Sequence, residues 1–486
     1  MEETQPLNQL RQVRLEKLQK LKNQGINSYP AVAKRDHSLA EAIKMQGRRV
    51  VVVGRLRAWR GHGKIQFGDL HDETGKIQVV FKADILSKSQ FQLLELFDIG
   101  DFLAVQGEVF KTNSGEVSVL VEDFQLLTKS LRPLPSKWHG LKDVEERYRY
   151  RYLDFLFNDQ VKQNIKVRAK VIASLREFLT KEGFLEVETP ILETKASGAV
   201  AKPFTTHINA YGLDLYLRIC MGELWQKRLM IGGFEKTFEL GKAFRNEGVS
   251  KQHSPEFTLL EYYWAYADYQ KNMELQERLI AYVVEETIGK RKITYQEKEI
   301  DFTPPYLRRT YQEVIQAHTG LDISAFKDKK ALLKAVEKKG LKVDPKWGWA
   351  HIIDEFYKEF VRPKLLGPLF LIQLPAELKP LAKRDQNDPR YTESFQLIVA
   401  GFELSNNYSE LNDPLEQAQR FLEQKKLDQA GDEETMAGDQ DFVEALEYGM
   451  PPTTGAGIGV DRLVALLTDS HSIRETMAFP LMKPKT

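Results

Sequence analysis

The sequence predicts an α+β fold in which a small β-barrel precedes a larger domain built on a mainly antiparallel sheet. Five short runs typical of β-strands follow one another within residues 48–128, separated by glycine, aspartate and asparagine. Further along, the runs 236–244 and 256–264 follow one another with no helix between them, which favours antiparallel pairing. Hydrophobic residues make up 42% and charged residues 29% of the 486 residues, so a wholly disordered chain is excluded.

Residues 1–47 are predicted to form a helical extension. Within residues 11–24 five basic residues stand against one acid, although the whole chain carries a net charge of only +1. Four leucines can share one stripe of this helix: Leu7, Leu10, Leu18 and Leu21. A basic amphipathic helix suits an RNA backbone or an acidic surface, and a solvated helix that caps a domain is the alternative.

Residues 48–130 are predicted to form a five-stranded barrel of the OB type. Turn sequences at 72–75 and 113–115 separate closely spaced strands, as in small barrels with hairpin connections. The next segment, 131–158, is predicted to be a linker, because two prolines and Gly140 interrupt regular structure.

Residues 159–486 are predicted to form the α+β domain. Apolar residues at helical spacing predict a helix over 160–182 that ends at Gly183. Its apolar stripe fits a symmetric interface between two copies of the chain, and packing against its own domain is the alternative. A less regular stretch, about 290–375, is predicted to be an insertion with a solvated, lysine-rich helical piece at 327–340.

Several classes of protein are excluded by simple features of the sequence. No apolar run approaches the ~20 residues of a membrane-spanning helix, and the first residues lack the apolar stretch of a secretory signal. Cys220 is the only cysteine, so neither a disulfide framework nor a cysteine-based zinc site can form within one chain. We therefore expect a cytoplasmic protein with no membrane partner.

Polar and aromatic side chains gather on two neighbouring strands of the second domain and on the loop between them. Side-chain alternation on the strands, together with His253 on the loop, would gather six of them on one surface: Arg245, Glu247, His253, Phe257, Glu261 and Tyr263. A structural hairpin would normally place aliphatic residues there. The alternative is an exposed arginine–carboxylate ion pair, which would contribute little to the stability of the fold.

A third strand carries more polar residues. Three of them alternate onto one face: Asn406, Tyr408 and Glu410. Just before it, a tight hairpin about Val399-Ala400 would place Gln396 opposite Glu403. Such a pair could hold Mg²⁺ if both residues were carboxylates.

Glycines at alternate positions lie near the C-terminal end: Gly455, Gly457 and Gly459. A dinucleotide-binding fingerprint is excluded, because no buried parallel strand precedes them and no βαβ unit follows. They predict instead a strand that a ligand can approach closely, with Arg462 in the first turn of the next helix. Because guanidinium groups grip phosphate and carboxylates bind ammonium, the residues alone suggest an ATP-using enzyme with a cationic substrate.

Three segments resemble the signature motifs of the class II aminoacyl-tRNA synthetases: 184–192, 244–257 and 457–462. Five more resemble the lysyl-tRNA synthetases of bacterial type in particular: 139–155, 197–204, 261–269, 376–384 and 406–414. The resemblance implies an antiparallel-sheet catalytic domain of class II type after an anticodon-binding OB domain. It implies an enzyme that forms lysyl-adenylate from ATP and L-lysine and transfers lysine to the 3′ end of tRNA(Lys). It also implies a homodimer that pairs through about 163–192.

The resemblance assigns roles at the catalytic centre. Arg245 at the α-phosphate and Arg462 at adenine and the γ-phosphate would be catalytic. The other expected ATP contacts are Glu247 at the adenine amino group, His253 near the pyrophosphate, Phe257 stacked on adenine, and Glu403. The expected lysine contacts are Glu223 at the α-ammonium, Arg245 and Asn406 at the carboxylate, Tyr263, Glu410 and Glu261 at the ε-ammonium, and also Ala199 and Tyr408.

The sequence departs from the family at three positions near this catalytic centre. Mg²⁺ is expected beside Glu403, but Gln396 stands where the family has a glutamate ligand. A neutral amide binds a hard cation more weakly than a carboxylate does. Ser394 replaces an arginine, and Lys379 replaces a serine.

In the OB domain the resemblance implies four anticodon contacts. Phe67 would stack on a base, Gln78 and Glu116 would hydrogen-bond uridines, and Arg60 would support the backbone or a base. Phe67 and Gln78 could instead be ordinary barrel residues.

Two other functions stay open at this point. A ligase that lysylates a protein would not need the barrel at 48–128. An RNA-binding relative that has lost catalysis is suggested by Gln396 and Ser394.

Overall fold

The computed structural model describes residues 5–135, 143–195, 198–326, 328–344, 346–429 and 436–485. Residues 1–4 of the predicted extension and Gly140 of the predicted linker lie outside these ranges. The chain divides into two compact units, residues 1–142 and 143–486. None of the helices described is long and apolar enough to span a bilayer.

The first unit is a barrel with short helices. Its strands are β1 (Arg49–His62), β2 (Ile65–His71), β3 (Lys76–Lys82), β4 (Phe102–Lys111) and β5 (Val117–Thr128). Its helices are α1 (Gln5–Asn23), α2 (Leu39–Ala42) and α3 (Lys88–Leu93). Antiparallel pairings run along β4-β1-β2-β3 and between β4 and β5, and a parallel pairing of β3 with β5 completes the ring. Apolar side chains such as Val52, Leu70 and Val105 fill the interior, and the predicted OB-type barrel is confirmed.

The predicted leucine stripe of α1 is only partly correct. Leu18 and Leu21 are buried, but Leu10 is 50% exposed. Arg14 takes a buried position instead, at 8% exposure, and donates to the carbonyl oxygens of Ile99 and Ser130, each at 3.0 Å. Backbone carbonyls of the first unit therefore bind one of the basic residues from which the sequence predicted a surface for RNA or solvent.

The second unit contains the remaining elements. Its strands are β6 (Leu185–Glu186), β7 (Leu192–Glu193), β8 (Thr205–Ile208), β9 (Leu213–Leu217), β10 (Lys236–Phe244), β11 (Glu256–Ala265), β12 (Lys292–Tyr295), β13 (Lys298–Asp301), β14 (Leu307–Thr310), β15 (Leu369–Ile372), β16 (Ser394–Val399), β17 (Phe402–Ser409) and β18 (Thr453–Gly459). Its helices are α4 (Val144–Arg149), α5 (Arg151–Phe157), α6 (Asp159–Lys181), α7 (Glu223–Ile231), α8 (Tyr269–Ile288), α9 (Tyr311–Thr319), α10 (Lys329–Lys338), α11 (Trp349–Phe360), α12 (Pro414–Gln429), α13 (Gln440–Glu447) and α14 (Val460–Leu467).

An eight-stranded sheet organises this unit, in the order β14-β15-β16-β17-β18-β11-β10-β6. Every pairing is antiparallel except those of β14 with β15 and of β10 with β6. Helices α6, α8 and α14 cover one face, where Leu175, Leu279 and Leu463 pack against sheet residues such as Phe395 and Ile458. The predicted α+β fold with a mainly antiparallel sheet is confirmed.

The predicted insertion, about 290–375, is more integrated than its sequence suggests. It supplies β14 and β15, which form one edge of the main sheet. The lysine-rich α10 buries Leu332 and Val336 in a local core with Ile353 and Phe356 of α11. The helix is therefore solvated on one side only.

The predicted linker and the first long helix also differ in detail. Residues 144–157 form α4 and α5, and Arg151 donates to the carbonyl oxygen of Glu475 at 2.7 Å, so these helices pack on the second unit. Helix α6 ends near Gly183, which has φ +83°, as predicted. Its stripe, including Leu175 and Leu179, packs within the second unit, so the alternative of own-domain packing is correct for this stripe.

Candidate active site

One cavity of about 840 Å³ lies in the second unit. The ATP, lysine and metal contacts expected from the sequence all line it: Ala199, Glu223, Arg245, Glu247, His253, Phe257, Glu261, Tyr263, Gln396, Glu403, Asn406, Tyr408, Glu410 and Arg462. They come from six separate stretches of chain that the sheet and α7 bring together.

The glycine-rich strand β18 forms the floor of this cavity between β11 and β17. Gly455 lies opposite Tyr263 on one neighbour and Tyr408 on the other. A Cβ atom at Gly455 would lie 2.2 Å from Oε1 of Glu410 and 2.6 Å from the Tyr263 ring, so only glycine fits. The missing side chains of β18 thus leave room for the polar side chains of its two neighbours.

Arg245 and Glu247 lie just beyond the end of β10. The expectation that both alternate along the strand is therefore wrong, because regular pairing ends at Phe244. Arg245 is held by a hydrogen bond from its Nε to the carbonyl oxygen of Ile219 at 3.2 Å. Its guanidinium carbon lies over the ring of Phe257, 5.1 Å from the ring centre, so a cation faces a flat aromatic surface.

Arg462 lies in the first turn of α14, as predicted. Its Nη1 donates to the backbone oxygen of Glu403 at 2.6 Å, and its Nη2 lies 3.4 Å from Nε2 of His253. Burial and the charge of Arg462 lower the pKa of His253, which favours a neutral imidazole at pH 7. A backbone contact thus helps to fix the guanidinium in the cavity.

Three buried carboxyl groups meet at the other end of the cavity. Glu223 begins α7, Glu261 lies on β11, and Glu410 follows β17. Burial, with Glu223 nearby, raises the pKa of Glu261 to about 8. Burial also raises the pKa of Glu410 to about 8, although Lys227 opposes the rise. A cation entering this cluster would favour the ionised forms, so the cluster is suited to an ammonium group.

Two lysines of the site were missed as contacts by sequence reasoning. Nζ of Lys227 lies 2.8 Å from Oε1 of Glu223 and 2.6 Å from Oε2 of Glu410. Nζ of Lys379 donates to Oδ1 of Asn406 at 2.7 Å. The four-residue spacing of Glu223 and Lys227 on a helix could have indicated the first contact, whereas the second depends on tertiary structure.

The expected hairpin pairing of Gln396 with Glu403 is wrong. The two-residue turn lies at Ala400-Gly401, where φ is +49° and +76°, so Ile398 is the partner of Glu403. A register shift then places Gln396 opposite Asn406. Such a shift is typical of a β-bulge, which the sequence alone does not reveal.

Comparisons with known proteins agree with this geometry. Residues 143–483 match the family model of class II tRNA synthetases (D, K and N), and residues 50–127 match the OB-fold nucleic acid binding domain. A lysine–tRNA ligase of Pelotomaculum thermopropionicum is 49% identical, over 99% of this chain and 96% of the relative. Lysine–tRNA ligases of Carboxydothermus hydrogenoformans and Thermotoga maritima are each 46% identical over 99% of this chain, and over 100% and 97% of the relatives. The chain belongs to the class II lysyl-tRNA synthetase family.

In this family member the four predicted anticodon contacts lie on or beside the first three strands of the OB barrel and β5. Arg60 is exposed opposite Phe67, with its guanidinium carbon 5.7 Å from the Phe67 ring centre. Gln78 is buried, and its Oε1 accepts a hydrogen bond from Ser118 at 2.9 Å. Glu116 is exposed just before β5. The Arg60–Phe67 pair therefore offers an accessible stacking surface, whereas Gln78 has a structural partner.

Proposed function

We propose that this chain is a lysine–tRNA ligase. The observation that carries the proposal is the juxtaposition, in one cavity, of three buried carboxyl groups with two fixed guanidinium groups and an aromatic ring. In the first step a carboxylate oxygen of L-lysine bonds to the α-phosphorus of ATP and pyrophosphate leaves. In the second step the lysyl group passes from the adenylate to the 3′ end of tRNA(Lys), and AMP is released.

The acidic end of the cavity would bind the two amino groups of lysine. Glu223 would accept from the α-ammonium, and Glu410 with Tyr263 would receive the ε-ammonium beside Glu261. A buried carboxylate left without its ammonium partner is costly, so neutral analogues of lysine would be rejected strongly. Asn406 would hold the substrate carboxylate, and Ala199 and Tyr408 would complete the wall of the pocket.

The opposite end would bind the nucleotide. Phe257 and Arg462 would enclose adenine, and Glu247 would accept a hydrogen bond from the adenine amino group. Arg245 would grip the α-phosphate and the lysine carboxylate together, and the neutral His253 would lie near the pyrophosphate. No covalent protein intermediate is needed, since positioning and fixed positive charge lower the barrier.

Mg²⁺ bound with ATP would neutralise the phosphate oxygens. The two expected metal ligands, Glu403 and Gln396, both line the cavity. Glu403 offers a carboxylate, whereas Gln396 offers only a neutral amide. Lys379, which donates to Asn406 opposite Gln396, brings an ammonium to the same part of the site. This donor set fits a Mg²⁺ ion held by Glu403 and the ATP phosphates, and it does not fit an ion bridged between two carboxylates.

The proposal includes a cytoplasmic enzyme that acts as a homodimer. Within the expected dimer segment, about 163–192, three apolar side chains are about half exposed: Leu185, Ile191 and Leu192. Exposed apolar side chains on one short stretch suit an isologous interface. Size-exclusion chromatography with light scattering tests this, and a monomer at micromolar concentration would contradict it.

Lysine-dependent ATP–pyrophosphate exchange tests the function itself. We expect exchange with wild-type protein and its loss in Arg245→Ala. Exchange no higher than in that variant would refute the proposal. Charging of tRNA(Lys) transcripts with an altered anticodon then separates the two ligase functions, because a ligase that modifies proteins would be indifferent to the anticodon.

A further inference from the structure

We propose that Lys227 is a specificity-determining residue that fixes the separation of the two carboxylates that bind lysine. This inference rests on the roles proposed above for Glu223 and Glu410. It adds that one internal ammonium group, which the substrate never touches, sets the length of diamino acid that fits the cavity.

The ammonium of Lys227 connects two carboxyl groups, and we call it the brace. Its side chain leaves α7 one turn after Glu223 and is 1% exposed. Nζ contacts Oε1 of Glu223 at 2.8 Å and Oε2 of Glu410 at 2.6 Å, so one nitrogen links two carboxyl groups from distant parts of the chain. The carboxyl groups cannot move far apart without stretching one of these contacts, and the repulsion between their like charges opposes a closer approach.

One oxygen of each carboxyl group is left for the substrate. Oε1 of Glu223 already binds Lys227 and the hydroxyl of Tyr408, which leaves its Oε2. Oε2 of Glu410 contacts Lys227, and its Oε1 lies over Gly455 on the cavity floor. Lys227 therefore orients both carboxyl groups from behind and presents one oxygen of each at a set spacing.

Aromatic rings hold the brace in place. Nζ of Lys227 lies 5.6 Å from the ring centre of Tyr408 and 5.8 Å from that of Phe442. The ammonium is thus enclosed by two carboxylates and two ring faces, which favour a buried cation. A ligand of different length cannot recruit this ammonium elsewhere, because each alternative position would leave a buried charge unpaired.

The consequence is discrimination by chain length. Ornithine is one methylene shorter than lysine, so its two ammonium groups cannot both reach oxygens whose spacing fits lysine. One missing methylene changes kcat/KM by about 10–200-fold in a hydrophobic pocket, which sets the scale for the discrimination expected here. Without the brace the two carboxyl groups can adjust, and that discrimination should decrease.

The test compares lysine with ornithine in ATP–pyrophosphate exchange for wild type, Lys227→Met and Lys227→Gln. We expect the lysine-to-ornithine ratio of kcat/KM to fall at least about tenfold in Lys227→Met, mainly through a higher KM for lysine. The KM for ATP should stay within about twofold, since the nucleotide contacts are unchanged. Lys227→Gln, which keeps an N–H donor group on a side chain one atom shorter, should show a smaller fall.

Lys236→Met is the matched control. Lys236 also contacts aromatic rings, but its ammonium donates to the carbonyl oxygen of Glu182 at 2.8 Å, whereas that of Lys227 contacts Glu223 and Glu410. The lysine-to-ornithine ratio of kcat/KM in Lys236→Met should equal that of wild type. The rise in Tm on adding lysine or ornithine gives a second readout of the preference, independent of catalysis.

Two results would overturn the proposal. An unchanged ratio in folded Lys227→Met would show that the spacing is set by other contacts. Failure of both Lys227 variants to fold would assign this lysine a structural role only. A wild-type protein that does not activate lysine would instead refute the proposed function, so the two failures are distinguishable.

Discussion

The ammonium of Lys379 lies 2.7 Å from the amide oxygen of Asn406, and Asn406 faces Gln396 on the neighbouring strand. Within the part of the chain that the structure describes, no carboxylate lies within ion-pair distance of this ammonium. Burial lowers the pKa of Lys379, while Glu403 and Asp354 oppose the decrease. A fixed cation therefore lies beside the proposed carboxylate-binding residue, at the position where the expected metal ligand is a neutral amide.

This arrangement predicts how Mg²⁺ dependence responds to substitution. Gln396→Glu should lower the Mg²⁺ concentration for half-maximal ATP–pyrophosphate exchange by about threefold or more, because a carboxylate is the stronger ligand. The effect should be larger in Gln396→Glu with Lys379→Ser, since the remaining ammonium would otherwise pair with the new carboxylate. Mn²⁺ binding to the complex with a non-hydrolysable ATP analogue gives a readout apart from activity.

Lys364→Ser serves as the control for loss of a lysine, because Lys364 is exposed and lies outside the cavity. The Mg²⁺ dependence of this control should equal that of wild type. If neither Mg²⁺ dependence nor Mn²⁺ affinity changes in the double variant, Gln396 does not face the metal.

Glu410→Gln should separate lysine binding from nucleotide binding. The substitution keeps the size of the side chain but removes the charge that would pair with the ε-ammonium. Loss of one member of a buried charge pair costs about 2–5 kcal/mol, so the KM for lysine should rise at least about 30-fold. The KM for ATP should change by less than about threefold.

The exposed Glu444 on α13 provides a matched control, and Glu444→Gln should leave both constants unchanged. If Glu410→Gln raised the KM values for lysine and ATP equally, Glu410 would stabilise the whole cavity. That result would contradict its proposed role in binding the ε-ammonium.

Local patterns predicted the barrel and part of the site, because period-2 alternation places Glu261 with Tyr263 and Asn406 with Tyr408 once strands are assigned. Features set by distant chain segments could not be predicted. The turn at Ala400-Gly401, one residue later than expected, moved Gln396 away from Glu403, and the bulge between Leu397 and Ile398 then placed it opposite Asn406. Strand β14 is short and pairs in parallel with β15 across a long connection. Because no nearby strand forms a hairpin with β14, its place in the main sheet could not be predicted.

The pKa values of Glu261 and Glu410 predict a pH dependence of lysine binding. Both are raised from an ordinary value of 4.5 to about 8, so the folded free enzyme binds more protons than the unfolded chain within this window. Its free energy of unfolding should therefore fall as pH rises through the window. Bound lysine favours the carboxylates, and its affinity should increase from pH 6 to pH 8 by up to about tenfold per pH unit for each proton released.

Isothermal titration at pH 6, 7 and 8 measures this dependence, and buffers of different ionisation enthalpy count the protons released. Glu261→Gln should flatten the profile, since the amide does not titrate. A lysine affinity that is independent of pH in wild type would mean that both carboxyl groups are already ionised in the free enzyme.

Phe67→Ala should weaken tRNA binding without affecting lysine activation. Stacking of a base on an aromatic ring is worth about 1–3 kcal/mol, so the KM for tRNA(Lys) should rise about 5- to 150-fold. ATP–pyrophosphate exchange without tRNA should be unchanged, because Phe67 belongs to the barrel and the exchange site lies in the second unit.

Phe91→Ala is the matched control for that change, because Phe91 is a partly buried aromatic residue that packs against the core of the same barrel. It should lower Tm with little effect on the KM for tRNA. Equal effects of the two substitutions on KM would mean that barrel stability, rather than base stacking, controls tRNA binding. Because Gln78 already bonds Ser118, its replacement by alanine should resemble Phe91→Ala more than Phe67→Ala.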